Sequence, residues 1–309
     1  MRTSHSALQH RGSRLAVVAL AAALCAATGD LAPDLAPETA PRTMRALGSA
    51  LADGRDVPDA VPSGPACPRD RVVLIAHRGT GDGTRQIDGR MFSENTVPAF
   101  LKAMEEGVDG VEADYWTTSD GAVVIHHDDT VDRMTDGTGP VAGLARDEVA
   151  ALRHPSGAAI PGLAAVGAAL QPYGAHRQQE IKEGARFGGR VLRRMVTRDV
   201  RQVSHDRLLY TSSEVETLRR ITTIDPLVRV GLIHRSDRGR PAVSSVPAWV
   251  DVVLIDLLAA DAGYVSRARQ AGLEVSLRRV QTGPQLHRAV ALGARRVVTD
   301  RPEVLGTAC

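Results

Sequence analysis

From Cys67 onward, short β-branched runs alternate with helical stretches at intervals of roughly 25–30 residues, and few folds satisfy that rhythm. The expected strands are 72–76, 110–115, 123–127, 178–182, 208–211, 228–233, 252–257, 274–278 and 297–299. Apolar residues at helical spacing lie between most of them, for example over 96–106, 214–221, 262–271 and 285–292. Nine strands of this kind fit an eight-stranded parallel barrel with one hairpin-like extra near the front. The other architecture open to the rhythm is an open doubly wound sheet, but no Gly-rich dinucleotide loop follows the first strand. The expectation is therefore a TIM (β/α)8 barrel over residues 69–309, with a small insertion at about 130–161. Little chain follows the last strand, so the final helix must be short.

The segment before the barrel reads differently. Arg2, Arg11 and Arg14 precede an apolar run, 15–27, that ends in small residues. A run of that length is too short to span a bilayer and suits the apolar stretch of a signal peptide, expected over residues 1–27. Cys25 invites a lipoprotein reading, yet Leu24 stands before it where lipoprotein signals carry a small residue, so no lipid anchor is expected. Residues 28–68 form an Ala- and Pro-rich lead-in, with Met44, Leu47 and Leu51 at helical spacing. Losing residues 1–27 removes three of the 38 basic residues and none of the 36 acidic ones, so the formal charge of +2 becomes −1. A near-neutral chain with interleaved acids and bases argues against nucleic-acid binding through bulk charge. Of three cysteines, Cys67 and Cys309 would survive export. An exported chain is expected to pair them, two unpaired thiols being the alternative.

Strand parity then picks out chemistry. Residues two apart share a face. His77 follows Val73 and Ile75; Glu112 pairs with Asp114, Ile125 with His127, and Glu180 with Lys182. If those faces line the barrel, three carboxylates, two imidazoles and an ammonium meet at the carboxyl ends of early strands, where barrel enzymes keep their active sites. Carboxylates at that density need a compensating cation, and oxygen ligands suit a hard divalent ion, Ca2+ or Mg2+. His126 has the opposite parity to His127 and is expected outside the barrel interior. Lysine is rare, with only Lys102 and Lys182 among the basic residues, so one on the active face is harder to read as incidental.

Seven motifs occur in order: IAHRG (75–79), SENTVPAF (93–100), GVDGVEAD (107–114), HDDTVDRMTDGTG (127–139), IPGL (160–163), EIK (180–182) and VVTDRP (297–302). Any one is weak, since HRG also occurs at 10–12. Together the chain resembles the glycerophosphodiester phosphodiesterases from residue 72 to its end. That resemblance implies a barrel of the phospholipase-C-like phosphodiesterase type. It also implies metal ligands at Glu112, Asp114 and Glu180, a catalytic histidine pair at His77 and His127, and phosphate contacts from Arg78 and Lys182. Glu94 and Asn95 open the first helix, where a structural cap is one reading and proximity to the metal is the other. The expected reaction is metal-dependent hydrolysis of glycerophosphodiesters to glycerol 3-phosphate and an alcohol. The alternatives are a sphingomyelinase D or lysophospholipase D, a hydrolase of glycerol-phosphate wall polymers, and a non-catalytic phosphate-binding barrel. Two departures stand out. Thirteen residues, 80–92, separate HRG from SENT, and the late strand that commonly ends in Trp-Thr reads VSLRRVQTG (275–283).

Overall fold

A computed structural model describes residues 67–235 and 239–307. The strands are β1 (Val73–Ala76), β2 (Thr84–Ile87), β3 (Arg90–Ser93), β4 (Gly110–Thr117), β5 (Val123–Ile125), β6 (His176–Ile181), β7 (Leu208–Ser212), β8 (Arg229–Ile233), β9 (Val252–Asp256), β10 (Glu274–Arg278) and β11 (Arg296–Thr299). The α-helices between and after them are α1 (Val97–Glu105), α2 (Arg146–Ala151), α3 (Leu163–Leu170), α4 (Gly189–Gln202), α5 (Val215–Ile224), α6 (Ala262–Gln270), α7 (Gly283–Ala291) and α8 (Pro302–Leu305).

Eight strands run parallel in the order β1-β4-β6-β7-β8-β9-β10-β11, and β1 pairs with both β4 and β11, so the sheet closes on itself. Closure leaves no edge within the ring to recruit other chains. Closing it demands close approach where β1, β4 and β6 meet. Gly110 pairs with Ile75 on one side and His176 on the other, and a Cβ there would lie 2.1 Å from the His176 carbonyl oxygen. β5 folds back antiparallel on β4, pairing Ile125 with Tyr115, which is the hairpin-like extra strand.

One sequence expectation needs correction. The strand expected over 123–127 ends at Ile125, because beyond it the Trp116 indole takes the His127 carbonyl at 3.0 Å. Residues 80–92, the long connection between HRG and SENT, contain the hairpin β2–β3, with Thr84 opposite Ser93. Its turn, Asp88–Gly89, has φ of 49° and 75°, the left-handed pair that a two-residue hairpin needs.

Alternation sorts side chains into separate cores. Leu209, Ile233, Val252 and Leu254 fill the barrel interior. Facing outward, Leu74, Val111, Tyr210, Val253, Ile255 and Leu277 pack with helical residues such as Phe100, Leu192, Val196, Leu218 and Ile221. Each such burial is worth about 1.5–3 kcal/mol. A third cluster, Trp116, Val124, Val131, Val141, Val149 and Ile160, holds the small insertion against the front of the barrel. In α1, Thr96 is the N-cap, accepting from the Ala99 N–H at 3.4 Å, and Pro98 lies in the first turn. Among the described residues no helix is long and apolar enough to cross a membrane. The expected leader, the lead-in up to residue 66 and its helix near Met44 lie outside the described residues.

Candidate active site at the barrel mouth

The strand register decides what meets at the mouth. Asp114 stands beside Glu180 on the neighbouring strand, and Glu112 lies one interior position deeper on β4. One carboxylate oxygen from each of Glu112, Asp114 and Glu180 lies within 4.8 Å of the others. Two cations press on the same group. Lys182 Nζ is 3.0 Å from Asp114 Oδ1 and 2.5 Å from Glu180 Oε1, while Arg78 Nε is 3.1 Å from Asp114 Oδ2. Burial alone would raise the Asp114 carboxyl; the Lys182 and Arg78 charges hold it far below the usual carboxylate range. Glu112 is less well compensated. Burial, and then the Asp114 charge, push its carboxyl up to about 8. Its Oε2 accepts from the Arg78 N–H at 3.2 Å, and its Oε1 is buried without a hydrogen-bond partner among the described residues. An orphaned oxygen in a cluster of three carboxylates fits a hard divalent cation, which would supply both the missing contact and the missing charge.

His77 closes the cluster from the end of β1. Its Nδ1 lies 2.6 Å from Asp300 Oδ1 and 3.2 Å from Asp82 Oδ1, and its Nε2 lies 3.9 Å from Glu112 Oε2. Burial works to lower the imidazole's proton affinity, but the hydrogen bonds to Asp300 and Asp82 overcome it and raise the pKa to about 10. His127 repeats the arrangement, with Nδ1 2.6 Å from Asp128 Oδ1. Asp128 is in turn gripped by Arg133 Nε at 2.5 Å. Arg133 also bonds Glu94, which bonds Arg78, so a chain of ion pairs joins the His127–Asp128 pair to Asp114. In both histidines a carboxylate claims Nδ1, leaving Nε2 as the nitrogen for chemistry.

Glu94 and Asn95 do not cap α1, since Thr96 does. Asn95, at φ 58°, turns its amide back so that Nδ2 donates to Asp114 Oδ2 at 2.8 Å, and its Oδ1 accepts from the Asp114 N–H at 3.2 Å. Glu94 is buried and links Arg78 (3.3 Å) to Arg133 (2.6 Å), and it also accepts from the Gly83 N–H. Every site residue expected from sequence within the barrel therefore converges on one mouth. His126 does not; it is buried against the insertion, bonded to the Thr130 carbonyl at 3.0 Å. Cys67 is disulfide-bonded, and its expected partner, Cys309, lies outside the described residues.

Sequence reasoning missed Asp82, Asp128, Arg133 and Asp300. Asp300 was within reach, because Val298 and Asp300 are two apart at the end of a strand and obey the parity that found His77. Asp128 and Arg133 follow His127 in an irregular stretch with no parity to exploit. Asp82 precedes a hairpin that only the fold brings over β1.

A closed (β/α)8 barrel with acids and aspartate-anchored histidines at the carboxyl ends of its strands has the build of a barrel hydrolase. The Glycerophosphoryl diester phosphodiesterase family model matches residues 77–304, and the chain belongs to that family. It is accordingly a phosphoric diester hydrolase. A Glycerophosphodiester phosphodiesterase from Caldanaerobacter subterraneus subsp. tengcongensis is 26% identical over 250 residues, covering 76% of this chain and 96% of that protein. Glycerophosphodiester phosphodiesterase 1 of Homo sapiens is 45% identical over 82 residues, 26% of this chain and 22% of that protein. Among solved structures, a putative glycerophosphodiester phosphodiesterase from Galdieria sulphuraria superposes with TM-score 0.66 at 20% identity, over 76% of this chain and 96% of that one. An Oleispira antarctica phosphodiesterase, in complex with the product sn-glycerol-3-phosphate, gives 0.60 at 23% identity, over 74% and 93%. Likeness at that identity shows the shared fold.

Proposed function

We propose that this chain hydrolyses glycerophosphodiesters to glycerol 3-phosphate and an alcohol. In this reading Glu112, Asp114 and Glu180 hold one divalent cation, Ca2+ or Mg2+, and His77 and His127 move the protons. The observation that carries it is the meeting of the three carboxylates with the Nε2 side of His77 (3.9 Å from Glu112) at one mouth. The bound cation would polarise phosphate oxygens and offset charge growing on phosphorus. Arg78 and Lys182, already turned toward the carboxylates, would contact the remaining phosphate oxygens. One imidazole takes a proton at Nε2 from the attacking water, or from a substrate hydroxyl whose cyclic phosphate a water then opens, and the other returns one to the departing alcohol oxygen. Asp300 with Asp82, and Asp128 with Arg133, fix which ring nitrogen faces the substrate. The glycerol 3-phosphate bound in the Oleispira antarctica phosphodiesterase supports the same product here.

The location belongs to this proposal as well: export through residues 1–27, a mature chain without a stable membrane anchor, and a Cys67–Cys309 bridge. The decisive assay follows glycerophosphocholine turnover after chelation and after return of each ion. Chelation should abolish turnover, and His127→Ala should lower kcat at least 100-fold with its thermal midpoint preserved. Undiminished turnover in the His127 variant would sink the mechanism.

A further inference from the structure

The mouth is chemically lopsided. In the ring of eight strands β9 stands opposite β4 and β10 opposite β6, so the ends of β9 and β10 face the carboxylate cluster. Val275 and Leu277 belong to the core under the helices, which sends Ser276 and Arg278 to the interior. On β9, Asp256 continues the interior row of Val252 and Leu254. The register pairs Arg278 with Asp256, and Arg278 Nη2 lies 3.2 Å from Asp256 Oδ1 and 3.2 Å from the His234 carbonyl oxygen. The Arg278 Nε is buried without a hydrogen-bond partner among the described residues. Arg279 follows at φ 59°, a left-handed backbone conformation that disfavours a residue with a side chain. Its side chain is 70% exposed and 3.6 Å from Asp256 Oδ2.

One carboxylate thus serves two guanidiniums. An ion pair that only held the barrel together would need one arginine, and would not need its neighbour in a strained conformation beside the same acid. An aromatic wall takes apolar or quaternary-ammonium groups, whereas paired guanidiniums take carboxylates and phosphates in bidentate fashion.

We propose that Arg278 and Arg279 form a subsite for an anionic group, a carboxylate or a phosphate, on the alcohol portion of the substrate. The inference rests on the hydrolase reading above and names its substrate class: glycerophosphodiesters whose alcohol carries a second negative charge. The scissile phosphate goes to the carboxylate side, and the distal anion is drawn to the far wall and away from Asp114 and Glu180.

The test compares glycerophospho-3-hydroxypropionate with its neutral isostere, the glycerophosphodiester of 3-hydroxypropionamide, and adds a diester whose alcohol ends in a phosphate monoester. In the wild type, kcat/KM should be at least tenfold higher for the anionic diesters, with the gain lying in KM. The third arm tells carboxylate from phosphate. Arg279→Gln, an exposed change that the fold tolerates, and Arg278→Gln should bring the ratio toward one. Asp256→Asn, which removes the neutralising carboxylate, should move it the other way. A wild-type ratio near one, or a ratio that survives both arginine changes, overturns the inference. No turnover of any diester would overturn the hydrolase reading, and this inference with it.

Discussion

At the scale of single residues, most of the mouth obeys one rule, that side chains two apart on a strand share a face. The rule finds His77, Glu112, Asp114, Glu180 and Lys182 before any coordinates exist, because barrel strands are straight enough to keep parity to their ends. It stops at residues whose direction is set by something other than a strand. Asn95 reaches Asp114 only because its backbone turns left-handed, and Asp82 reaches His77 at 3.2 Å only because a hairpin lies over β1. Asp300 shows what such partners do. Its carboxylate can only accept, so it fixes the proton on Nδ1 of His77 and leaves Nε2 toward Glu112. An asparagine can present its N–H instead, favouring the other tautomer. Asp300→Asn should therefore lower kcat about 100-fold while KM and the thermal midpoint stay close to wild type; an equal rise in KM would mean that Asp300 serves binding instead.

Elements were legible wherever periodicity was strong. All eight barrel strands and the helices expected at 96–106, 214–221, 262–271 and 285–292 are present within a few residues. The β2–β3 hairpin was passed over although Asp-Gly between alternating residues is its standing signal. The short flanking runs, with Arg85 and Arg90 among them, look too polar for strands. Tertiary contacts make up the difference, since Arg85 anchors the hairpin on the Thr80 and Asp300 carbonyls (2.7 and 2.6 Å) and on Glu303. Where β1, β4 and β6 converge, sequence gives only a glycine with no visible reason. With a Cβ at Gly110 2.1 Å from the His176 carbonyl, Gly110→Ala must push two strands apart. The expected cost is about 1–3 kcal/mol or more, read as a lower urea midpoint.

For the whole molecule, pH acts through buried groups other than the carboxylates and histidines that meet at the mouth. His154 has both ring nitrogens buried without partners among the described residues; burial lowers its pKa to about 4. The unfolded chain, with His near 6.5, then binds more protons than the fold between pH 6.5 and 4, so stability is lost as pH falls through that window. The loss is on the order of 3 kcal/mol for this residue, and His176 adds in the same direction. His154→Leu should match wild type within about 1 kcal/mol at pH 7 and exceed it by about 2 kcal/mol near pH 4.5 in urea unfolding. Asp199 is the mirror case. Burial raises it to about 6, so the fold binds the extra proton between pH 4 and 6 and loses stability as pH rises through that range. Variants at the two positions should thus diverge from wild type at opposite ends of the pH scale.

The sequence by itself determined the closed barrel and the inward row of acids and histidines. Both follow from local periodicity, and periodicity is written in the order of residues along one chain. Tertiary structure alone decided who serves whom: Asp300 just after β11 and Asp82 just before the hairpin on His77, Arg133 bridging Asp128 and Glu94, and two arginines at the end of β10 sharing the carboxylate that ends β9. Those partnerships join residues up to 223 positions apart. Closure of the ring sets them, and no spacing along the chain records which strand ends will meet.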